Sequence, residues 1–365
     1  MLENFRTNYP RHHVGSGDIV IIFLVILVAA FFLSIYCMKI FKQQIPVEAS
    51  KEFHLFCDNL DDYLLRSEEN IPNLKKDLKK KIYWFSDPGV KSEVAVVYIH
   101  GYSASPQEVR PVPDLIAKEL KANLYFSRLT GHGCDSRQMS EAQIQDWLND
   151  AAEAVEIGHK IGKKVIVLST STGGTLVSAL AISKQIFNAE DKLVFISPNF
   201  GLNKKMSGIL TWPFSQVWLP LIFGSERTFK PKGVLHSYFW TTRYSTQSVI
   251  KMAKMTRKIS KLDFSEAKLP SLFIYSKKDK VVKPWLIEKV FDAWEGKKSK
   301  LVIEVGENDD PNSHVICGDI MSPSMNNYFV DQIVKWVRYE KLISMVLKTK
   351  ECLLHGGISR GYPDA

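Results

Sequence analysis

Short aliphatic segments alternate with longer amphipathic segments along most of this chain. The connecting segments carry apolar residues at helical spacing, as in EAQIQDWLNDAAEAVEIGHKIG (141–162) and PWLIEKVFDAWEG (284–296). Apolar strands joined by helices favour the α/β class, with a mainly parallel sheet covered by helices on both faces. The predicted strands are IYWF (82–85), VAVVYI (94–99), NLYFSRL (123–129), KVIVL (164–168), LVFIS (193–197), SLFIYS (271–276) and LVIEV (301–305).

One long segment interrupts this alternation between Pro198 and Lys268, where a connection of a few residues is usual. It is rich in aromatic residues, which fits two interpretations: a small subdomain with its own core, or a lid that presents an apolar surface to a ligand. We expect a cap at 199–268 that contributes to binding. Its candidate substrate-binding residues are Trp212, Phe214 and Trp218.

The segment IVIIFLVILVAAFFLSIYCM (19–38) contains no formally charged residue and is bracketed by Asp18 and Lys39. At about 1.5 Å per residue, a helix of this length spans about 30 Å, the hydrocarbon thickness of a bilayer. A cleaved signal peptide is the alternative, but the following residues, KIFKQQIP, offer no small-residue cleavage site. We therefore expect an uncleaved transmembrane helix with the lipid bilayer as its partner.

Basic residues on the two sides of this segment predict its orientation. Arg6 and Arg11 precede it, whereas Lys39, Lys42 and Lys51 follow it. Because cytoplasmic flanks carry the excess of Lys and Arg, the larger part of the chain is expected on the cytoplasmic side of the membrane.

The net charge of +9 comes from lysines that are spread along the chain, without an aromatic–basic repeat typical of nucleic-acid binding. A solvated cationic surface explains this charge; attraction to an anionic membrane or to phosphate-bearing substrates is the alternative. The five cysteines form no CxxC pair, and His12-His13 has no partner at metal spacing. We therefore expect no zinc site, no dense disulfide framework and no cofactor, and no nucleic acid as a partner.

The segment VLSTSTGG (167–174) lies where a predicted strand ends and a helix begins. A serine exposed on such a tight turn needs small residues two positions before and after it, because strand and helix approach closely there. Ser169 and Thr170 each follow an aliphatic residue by two positions, whereas Ser171 is flanked by Ser169 and Gly173. Ser171 is therefore the candidate nucleophile. A Ser/Thr-rich turn that caps the next helix is the alternative interpretation.

The segment IHGYSASP (99–106) places His100-Gly101 directly at the end of another strand. A glycine there lets the backbone turn, so that N–H groups point towards the serine. We expect the amides of Tyr102 and Thr172 to form an oxyanion hole. His100 is expected to brace this loop.

Two further strand-end loops supply an acid and a base. The segment SKKDKVVKP contains Asp279, and PNSHVI contains His314. A carboxylate can orient an imidazole, which in turn takes the proton of the nucleophile. Asp309 and Asp310 are the alternative acids, although neighbours in one loop usually point apart from each other.

Together, HGY, LTGHG (129–133), STSTGG, the KKD loop and the NSH loop resemble the α/β-hydrolase superfamily. Within it they look most like the branch of monoacylglycerol lipases, lysophospholipases and related carboxylesterases, also described as serine aminopeptidase-like. The likeness runs from about residue 60 to about residue 342. It implies Ser171 as nucleophile, His314 as base, Asp279 as acid and the insertion as a cap, in the family order Ser–Asp–His. The chain departs from the family pattern at Ser169, where glycine is usual.

Other nearby side chains have less support. His132 in GHG is expected to brace the neighbouring loop, and nothing beside Cys134 or Cys317 suggests a nucleophilic thiol. The predicted division of the chain is an N-terminal tail (1–18), a transmembrane helix (19–38), a connector (39–75), the first part of the α/β-hydrolase core (76–198), the cap (199–268), the second part of the core (269–345) and a C-terminal tail (346–365).

The resemblance and the span predict a membrane-anchored serine hydrolase of carboxylic esters, with lysophospholipid or monoacylglycerol as substrate. The same machinery acting as an aminopeptidase or acyltransferase is one alternative. Residues 203–232 hold five basic residues against the single Glu226, which disfavours a pocket for a substrate amine. A non-catalytic, membrane-tethered binding module is the other alternative, supported by Ser169 alone.

Overall fold

The computed structural model describes residues 16–40, 45–50, 59–183 and 186–339. The chain divides into two units, Met1–Gln44 and Ile45–Ala365. The described part of the first unit is helix α1 (Ser16–Ile40), with side chains described over 17–33. In the part of the chain that the structure describes, no helix combines the length and the hydropathy needed to cross a membrane. Residues 34–38 of the predicted span, the flanking arginines, His12-His13 and the C-terminal tail lie outside the described side chains.

The second unit is built on a seven-stranded sheet in the order β1-β3-β2-β4-β5-β8-β9. Only β1 runs antiparallel to its neighbour, and the other pairs are parallel, which confirms the mainly parallel sheet. Two further short strands, β6 and β7, pair with each other in a separate hairpin. The strands are β1 (Lys81–Tyr83), β2 (Ser92–Ile99), β3 (Asn123–Phe126), β4 (Gly162–Thr170), β5 (Lys192–Ile196), β6 (Glu226–Thr228), β7 (Arg243–Ser245), β8 (Ser271–Tyr275) and β9 (Lys298–Val302).

Helices cover both faces of the sheet, which explains why consecutive residues in the buried parts of its central strands are apolar. In β2, for example, Val97 and Ile99 belong to one buried cluster, whereas Val96 and Tyr98 belong to the cluster on the opposite face. The remaining helices are α2 (Leu60–Glu68), α3 (Val112–Leu120), α4 (Ser136–Glu141), α5 (Ile144–Ile161), α6 (Thr172–Ser183), α7 (Ser215–Phe223), α8 (Val234–Phe239), α9 (Thr246–Ile259), α10 (Pro284–Ala293) and α11, described over 326–339.

Helices α5, α6 and α10 pack on one face of the sheet, and α3 and α11 pack on the other. Helix α5 begins with a capping box, in which the Asp146 carboxylate accepts a hydrogen bond from the Gln143 amide at 2.9 Å. This start places Trp147 in the core, where its indole N–H donates to the carbonyl of Thr130 at 3.0 Å. The GHG loop is thereby tied to the scaffold.

The long segment between β5 and β8 contains α7, α8, α9 and the β6–β7 hairpin. Helix α9 packs against the core through buried residues such as Met252 and Met255. Helices α7 and α8 instead leave large apolar side chains exposed. These are Val217, Leu221, Ile222 and Phe223 on α7 and Val234, Leu235 and Tyr238 on α8. The boundaries of the cap at 199 and 268 stay a prediction.

Candidate active site

Ser171 occupies the turn between the central strand β4 and helix α6. It is the single residue between Thr170, which ends the strand, and Thr172, which begins the helix. Its φ of 50° lies in the left-handed region, which a residue with a side chain adopts only where surrounding contacts enforce it. Here the Ser171 amide donates to the Ile196 carbonyl at 3.0 Å, and its carbonyl accepts from the Asn199 amide at 2.9 Å.

The positions two residues away from Ser171 show why the turn needs small side chains. A Cβ on Gly173 would lie 2.8 Å from the carbonyl oxygen of His100 and still closer to that of Ile99. Position 169 tolerates a hydroxymethyl group, because the buried Ser169 hydroxyl donates to the Val194 carbonyl of the neighbouring strand at 3.3 Å. The serine in the usual glycine position therefore fits the turn.

Three side chains form a continuous hydrogen-bonded chain at this edge of the sheet. Ser171 Oγ lies 3.1 Å from His314 Nε2, and His314 Nδ1 lies 2.8 Å from Asp279 Oδ2. A carboxylate can only accept, so the Nδ1 proton faces Asp279 and Nε2 is left to accept the proton of the serine. All three residues are buried. The structure thus brings together the three residues predicted as nucleophile, base and acid.

Asp279 is held in place by its own loop. Its second oxygen, Oδ1, accepts from the backbone amides of Val281 and Val282 at 2.7 and 2.9 Å. The loop is joined to the neighbouring histidine loop by the Lys280 amide, which donates to the Asn312 carbonyl at 2.9 Å. Asp279 Oδ2 is therefore directed at the imidazole by backbone contacts alone.

The two alternative acids have other contacts. Asp310 accepts from the backbone amides of His314 and Val315 at 3.1 and 3.0 Å, and so braces the loop that carries the imidazole. Asp309 accepts from the Gly306 amide at 2.7 Å and from a neighbouring hydroxyl. Neither contacts the imidazole ring in the described part of the chain.

The environment of His314 favours its protonated form. Burial is the largest single effect and lowers the pKa of His314, but the charge and hydrogen bond of Asp279, together with the charges of Glu108 and Asp310, outweigh it. The net result is a pKa above the usual value of 6.5. The surrounding carboxylates therefore stabilise the imidazolium that forms when His314 takes a proton from the serine.

The loop that follows β2 lies directly against the serine. A Cβ on Gly101 would lie 3.1 Å from the Cβ of Ser171. His100 braces this loop as expected: its Nε2 accepts from the Leu129 amide at 3.1 Å, so Nδ1 carries the proton and donates to the Gly101 carbonyl at 2.8 Å. Within the described residues, the amides of Tyr102 and Thr172 donate to no protein acceptor, which leaves them available to a ligand oxygen.

Aromatic side chains from core and cap surround Tyr102. Its hydroxyl lies 2.7 Å from Ser248 Oγ on α9, and its ring packs edge-on against Tyr244 of the cap. His132 of the GHG motif also contacts this ring, and burial lowers the pKa of His132 to about 4. Tyr244 and Ser248 join the site only through the tertiary structure. No motif in the sequence singles them out.

The three predicted substrate-binding residues lie in helix α7 and in the segment directly before it. Trp212 and Phe214 are 56% and 42% exposed, and the rings of Trp212 and Trp218 pack against each other. In the described part of the chain, no hydrogen bond or ring contact connects them to Ser171 or His314. Their role in binding stays a prediction.

Sequence reasoning missed Glu108, a carboxylate buried behind the loop that carries Tyr102. Its only signal was the position of an acidic residue seven positions after Gly101, in the segment between a predicted strand and a predicted helix. The sequence alone does not show whether such a glutamate is buried, because most charged residues face solvent.

The sequence of this chain is similar to that of a protein family and to that of a lipase. A family model, Hydrolase_4 (serine aminopeptidase, S33), matches residues 91–305, more than half of the chain. A thermostable monoacylglycerol lipase from Bacillus sp. (strain H-257) is 30% identical over 88 residues. That match covers 24% of this chain and only 35% of the lipase, so it spans about a third of the relative's length.

Solved structures agree on the fold. One reported for the metagenome-derived lipolytic enzymes LipS and LipT has a TM-score of 0.59 at 18% identity, covering 73% of this chain and 99% of that one. A soluble variant of monoglyceride lipase from Saccharomyces cerevisiae, in complex with a substrate analog, has a TM-score of 0.54 at 15% identity, covering 71% and 90%. These likenesses show the α/β-hydrolase fold. With the family match over residues 91–305, they establish that the chain belongs to the serine aminopeptidase S33 (Hydrolase_4) family of α/β-hydrolases.

Proposed function

We propose that this protein is a membrane-associated serine hydrolase that cleaves carboxylic esters of lipid-like substrates, monoacylglycerol or lysophospholipid. The observation that carries the proposal is the chain of contacts from Ser171 Oγ through His314 to Asp279, at 3.1 and 2.8 Å. A hydroxyl, an imidazole and a carboxylate in this order form the arrangement that turns a serine into a nucleophile.

In the proposed reaction, His314 Nε2 takes the proton of Ser171 while Oγ attacks the ester carbonyl carbon. Asp279 holds the imidazole in the required tautomer and stabilises the imidazolium. Collapse of the tetrahedral intermediate breaks the bond to the alcohol, which leaves with the proton from His314. Water, activated by the same imidazole, then hydrolyses the acyl-enzyme.

The free amides of Tyr102 and Thr172 are proposed to stabilise the negative charge on the carbonyl oxygen. Tyr102 follows the glycine that touches Ser171, and Thr172 begins α6 directly after the serine. A helix start adds a favourable dipole for an oxyanion. Loss of one such donor typically costs about 3–4 kcal/mol of transition-state stabilisation.

Support for a lipid-like substrate comes from the cap. Leu221 and Val234 are 81% and 85% exposed, among other exposed apolar side chains of α7 and α8. Exposed apolar patches of this kind commonly receive apolar ligands or lipid. Residues 203–232 are also mainly basic, which suits an anionic or apolar ligand better than an amine. The named activity of the Bacillus relative points to the same substrate class.

Support for membrane attachment comes from residues 19–38. The large apolar side chains described on α1 are each between 51% and 62% exposed, which is costly in water and favourable in lipid. We propose that this segment anchors the protein as a single span, with the hydrolase unit on the cytoplasmic side. A catalytic unit tethered in this way stays close to substrates dissolved in the bilayer.

A fluorophosphonate probe tests the catalytic proposal. Detergent-solubilised full-length protein should be labelled, and Ser171→Ala should abolish both labelling and p-nitrophenyl ester hydrolysis. The matched control is Ser169→Ala, which removes a hydroxyl from the same turn and should leave labelling intact. Failure of the wild-type protein to react, or labelling that survives Ser171→Ala, would support the non-catalytic alternative.

Substrate choice is tested with mixed micelles of monoacylglycerol or lysophospholipid, compared with aminoacyl p-nitroanilides. Ester turnover well above anilide turnover is expected, since the cap offers no acidic cluster for a substrate amine. Faster anilide turnover would identify an aminopeptidase. Transfer of the acyl group to an added alcohol, in preference to water, would identify an acyltransferase.

Membrane attachment is tested by alkaline carbonate extraction of the full-length protein and of a variant lacking residues 1–44. The full-length protein should stay in the membrane pellet, and the truncated one should be released. Protease protection of a tag at each end reports the orientation. Release of the full-length protein would contradict the anchor.

A further inference from the structure

We propose that Glu108 is a positioning residue that holds the oxyanion loop and the nucleophile turn in register, given the serine hydrolase function proposed above. Glu108 lies in the turn between β2 and α3, and its side chain points back beneath the loop at 100–103. It does not reach Ser171 or His314 by a hydrogen bond in the described part of the chain, and so acts through other residues.

The contact to the oxyanion loop is direct. Glu108 Oε2 accepts from the Gly101 amide at 2.8 Å. This bond holds the His100–Gly101 peptide, which is one peptide before the Tyr102 amide that is the proposed oxyanion donor. Gly101 lies close to both Glu108 and Ser171. A Cβ at Gly101 would lie 3.0 Å from Glu108 Oε1 and 3.1 Å from the Cβ of Ser171.

A second contact reaches the nucleophile turn. The Tyr98 hydroxyl lies 2.9 Å from Glu108 Oε2 and 3.1 Å from Thr170 Oγ1. With one hydrogen on each hydroxyl, Thr170 can donate to Tyr98 and Tyr98 to the carboxylate, so that both are satisfied. Thr170 directly precedes Ser171. The network therefore joins the residue before the nucleophile to the residue before the oxyanion donor.

Burial indicates why a carboxylate at this position is significant. Glu108 is 3% exposed, and the chain packs tightly around it: a Cβ on Gly318, in the histidine loop, would lie 2.7 Å from the Glu108 carbonyl oxygen. Burial raises the pKa of Glu108, which the bonds from Gly101 and Tyr98 partly oppose. Burying a carboxylate costs free energy unless hydrogen bonds satisfy its oxygens. Loss of the bonds from Gly101 and Tyr98 would therefore be unfavourable in the folded protein.

The same carboxylate acts on the imidazole through its charge. Three carboxylates raise the pKa of His314: Asp279 in direct contact, then Glu108 and Asp310. The titratable groups that face the Glu108 carboxylate are Tyr98, His314 and the Cys317 thiol. Glu108 thus combines hydrogen bonding to the oxyanion loop with a charge that favours the imidazolium.

Two substitutions separate these effects from simple loss of packing. Glu108→Ala removes the acceptor for Gly101, and should lower kcat about 30- to 100-fold with KM changed by less than about 3-fold. Glu108→Gln keeps an oxygen acceptor without the charge, and should retain kcat within about 5-fold. Tyr98→Phe removes the hydroxyl that links Glu108 to Thr170 but keeps the bond from Gly101, and should cost less than Glu108→Ala. The surface control is Glu295→Gln, at an exposed position away from the site.

The pH profile supplies a readout that a purely structural role would not move. Removing the charge in Glu108→Gln should shift the acidic limb of kcat/KM, which reports His314, to lower pH, while Glu295→Gln leaves it in place. Thermal unfolding of each variant shows whether it is folded. Equal kcat losses in Glu108→Gln and Glu108→Ala, wild-type kcat in a folded Glu108→Ala, or an acidic limb unmoved in Glu108→Gln would each overturn the proposal.

The rate of fluorophosphonate labelling separates this inference from the proposed function. Labelling measures the reactivity of Ser171 without knowledge of the natural substrate. It should slow in Glu108→Ala and recover in Glu108→Gln. An unreactive wild-type protein would refute the proposed function, whereas a reactive wild type with an equally reactive Glu108→Ala would refute the role of Glu108 alone.

Discussion

The strand-end loops around Ser171 and the helices α7 and α8 of the cap are organised in opposite ways. Around Ser171, backbone atoms approach so closely that a Cβ at Gly173 cannot fit, and hydrogen bonds join the side chains of Ser171, His314 and Asp279. In the cap, Leu221 and Val234 are almost fully exposed, and a Cβ at Gly208 would meet no atom within 4 Å.

Under the function proposed above, this difference separates two tasks within one unit. The chemistry needs atoms placed to within fractions of an ångström, which only a tightly packed scaffold provides. A surface that receives flexible apolar chains needs area rather than precision, and it can be built from loosely packed helices. Substitutions in the two regions should therefore affect different quantities.

The largest effect is expected for Asp279→Asn in the strand-end loops. The amide can no longer hold His314 in the required tautomer, so kcat for ester hydrolysis should fall by about 10⁴-fold, roughly 5 kcal/mol in the barrier. Asp309→Asn, at the neighbouring alternative acid, should cost less than about 10-fold. Steady-state kinetics on a p-nitrophenyl ester checks both, and comparable losses would contradict the assignment of the acid.

A pair of glycine substitutions tests the packing difference directly. Gly173→Ala forces a methyl group into the carbonyl oxygens of Ile99 and His100, and should destabilise the protein by about 2–3 kcal/mol despite the better helix propensity of alanine. Gly208→Ala has open space and should stay within about 0.5 kcal/mol of wild type. Urea unfolding in detergent measures both. Similar free energies of unfolding for the two variants would contradict the difference in packing between the two regions.

Two histidines extend the comparison to pH dependence. The pKa of His314 is raised, whereas burial lowers the pKa of His236 in the cap. Because protonated His314 cannot accept the serine proton, kcat/KM should rise with pH through a midpoint above 6.5, about tenfold per unit below it. Protonation of His314 stabilises the folded state fully below pH 6.5, and this contribution is lost as pH rises through the same midpoint.

The matched variant for the pH profile is His236→Gln. The His236 imidazole accepts from the Lys232 amide at 3.1 Å and has no contact with the catalytic residues in the described part of the chain. Its replacement should leave the midpoint in place. A midpoint that follows His236, or one below 6.5 in the wild-type protein, would contradict the electrostatic account of His314.

The smallest effect on stability is expected in the cap. The double variant Leu221→Ser/Val234→Ser should change the free energy of unfolding by less than about 0.5 kcal/mol per site, because both side chains are already exposed. Turnover of monoacylglycerol in micelles should fall roughly 5- to 10-fold, since apolar area for lipid contact is lost. Hydrolysis of a soluble short-chain ester should change less than about 2-fold; an equal loss on both substrates would contradict a lipid-binding role.

The steric requirements of a tight turn were sufficient to predict Ser171 as the candidate nucleophile. The requirement for small residues on both sides singled it out of Ser169, Thr170 and Ser171, and the structure places it on the turn between β4 and α6. Their positions in strand-end loops then predicted Asp279 and His314, and His314 lies in contact with both Ser171 and Asp279. For the cap, composition alone suggested Trp212, Phe214 and Trp218, and their role in binding stays a prediction.

The amino-acid sequence was sufficient to predict the mainly parallel sheet and the cluster of Ser171, His314 and Asp279. Strand periodicity, turn sterics and the order of strand-end loops are local properties, and parallel strands necessarily collect their ends at one edge. The tertiary structure alone decided that Asp310 braces the histidine loop, that Tyr244 and Ser248 pack on Tyr102, and that Glu108 lies buried under Gly101. These contacts join residues that are distant along the chain or that face inward from a turn, so their partners depend on how the whole unit packs.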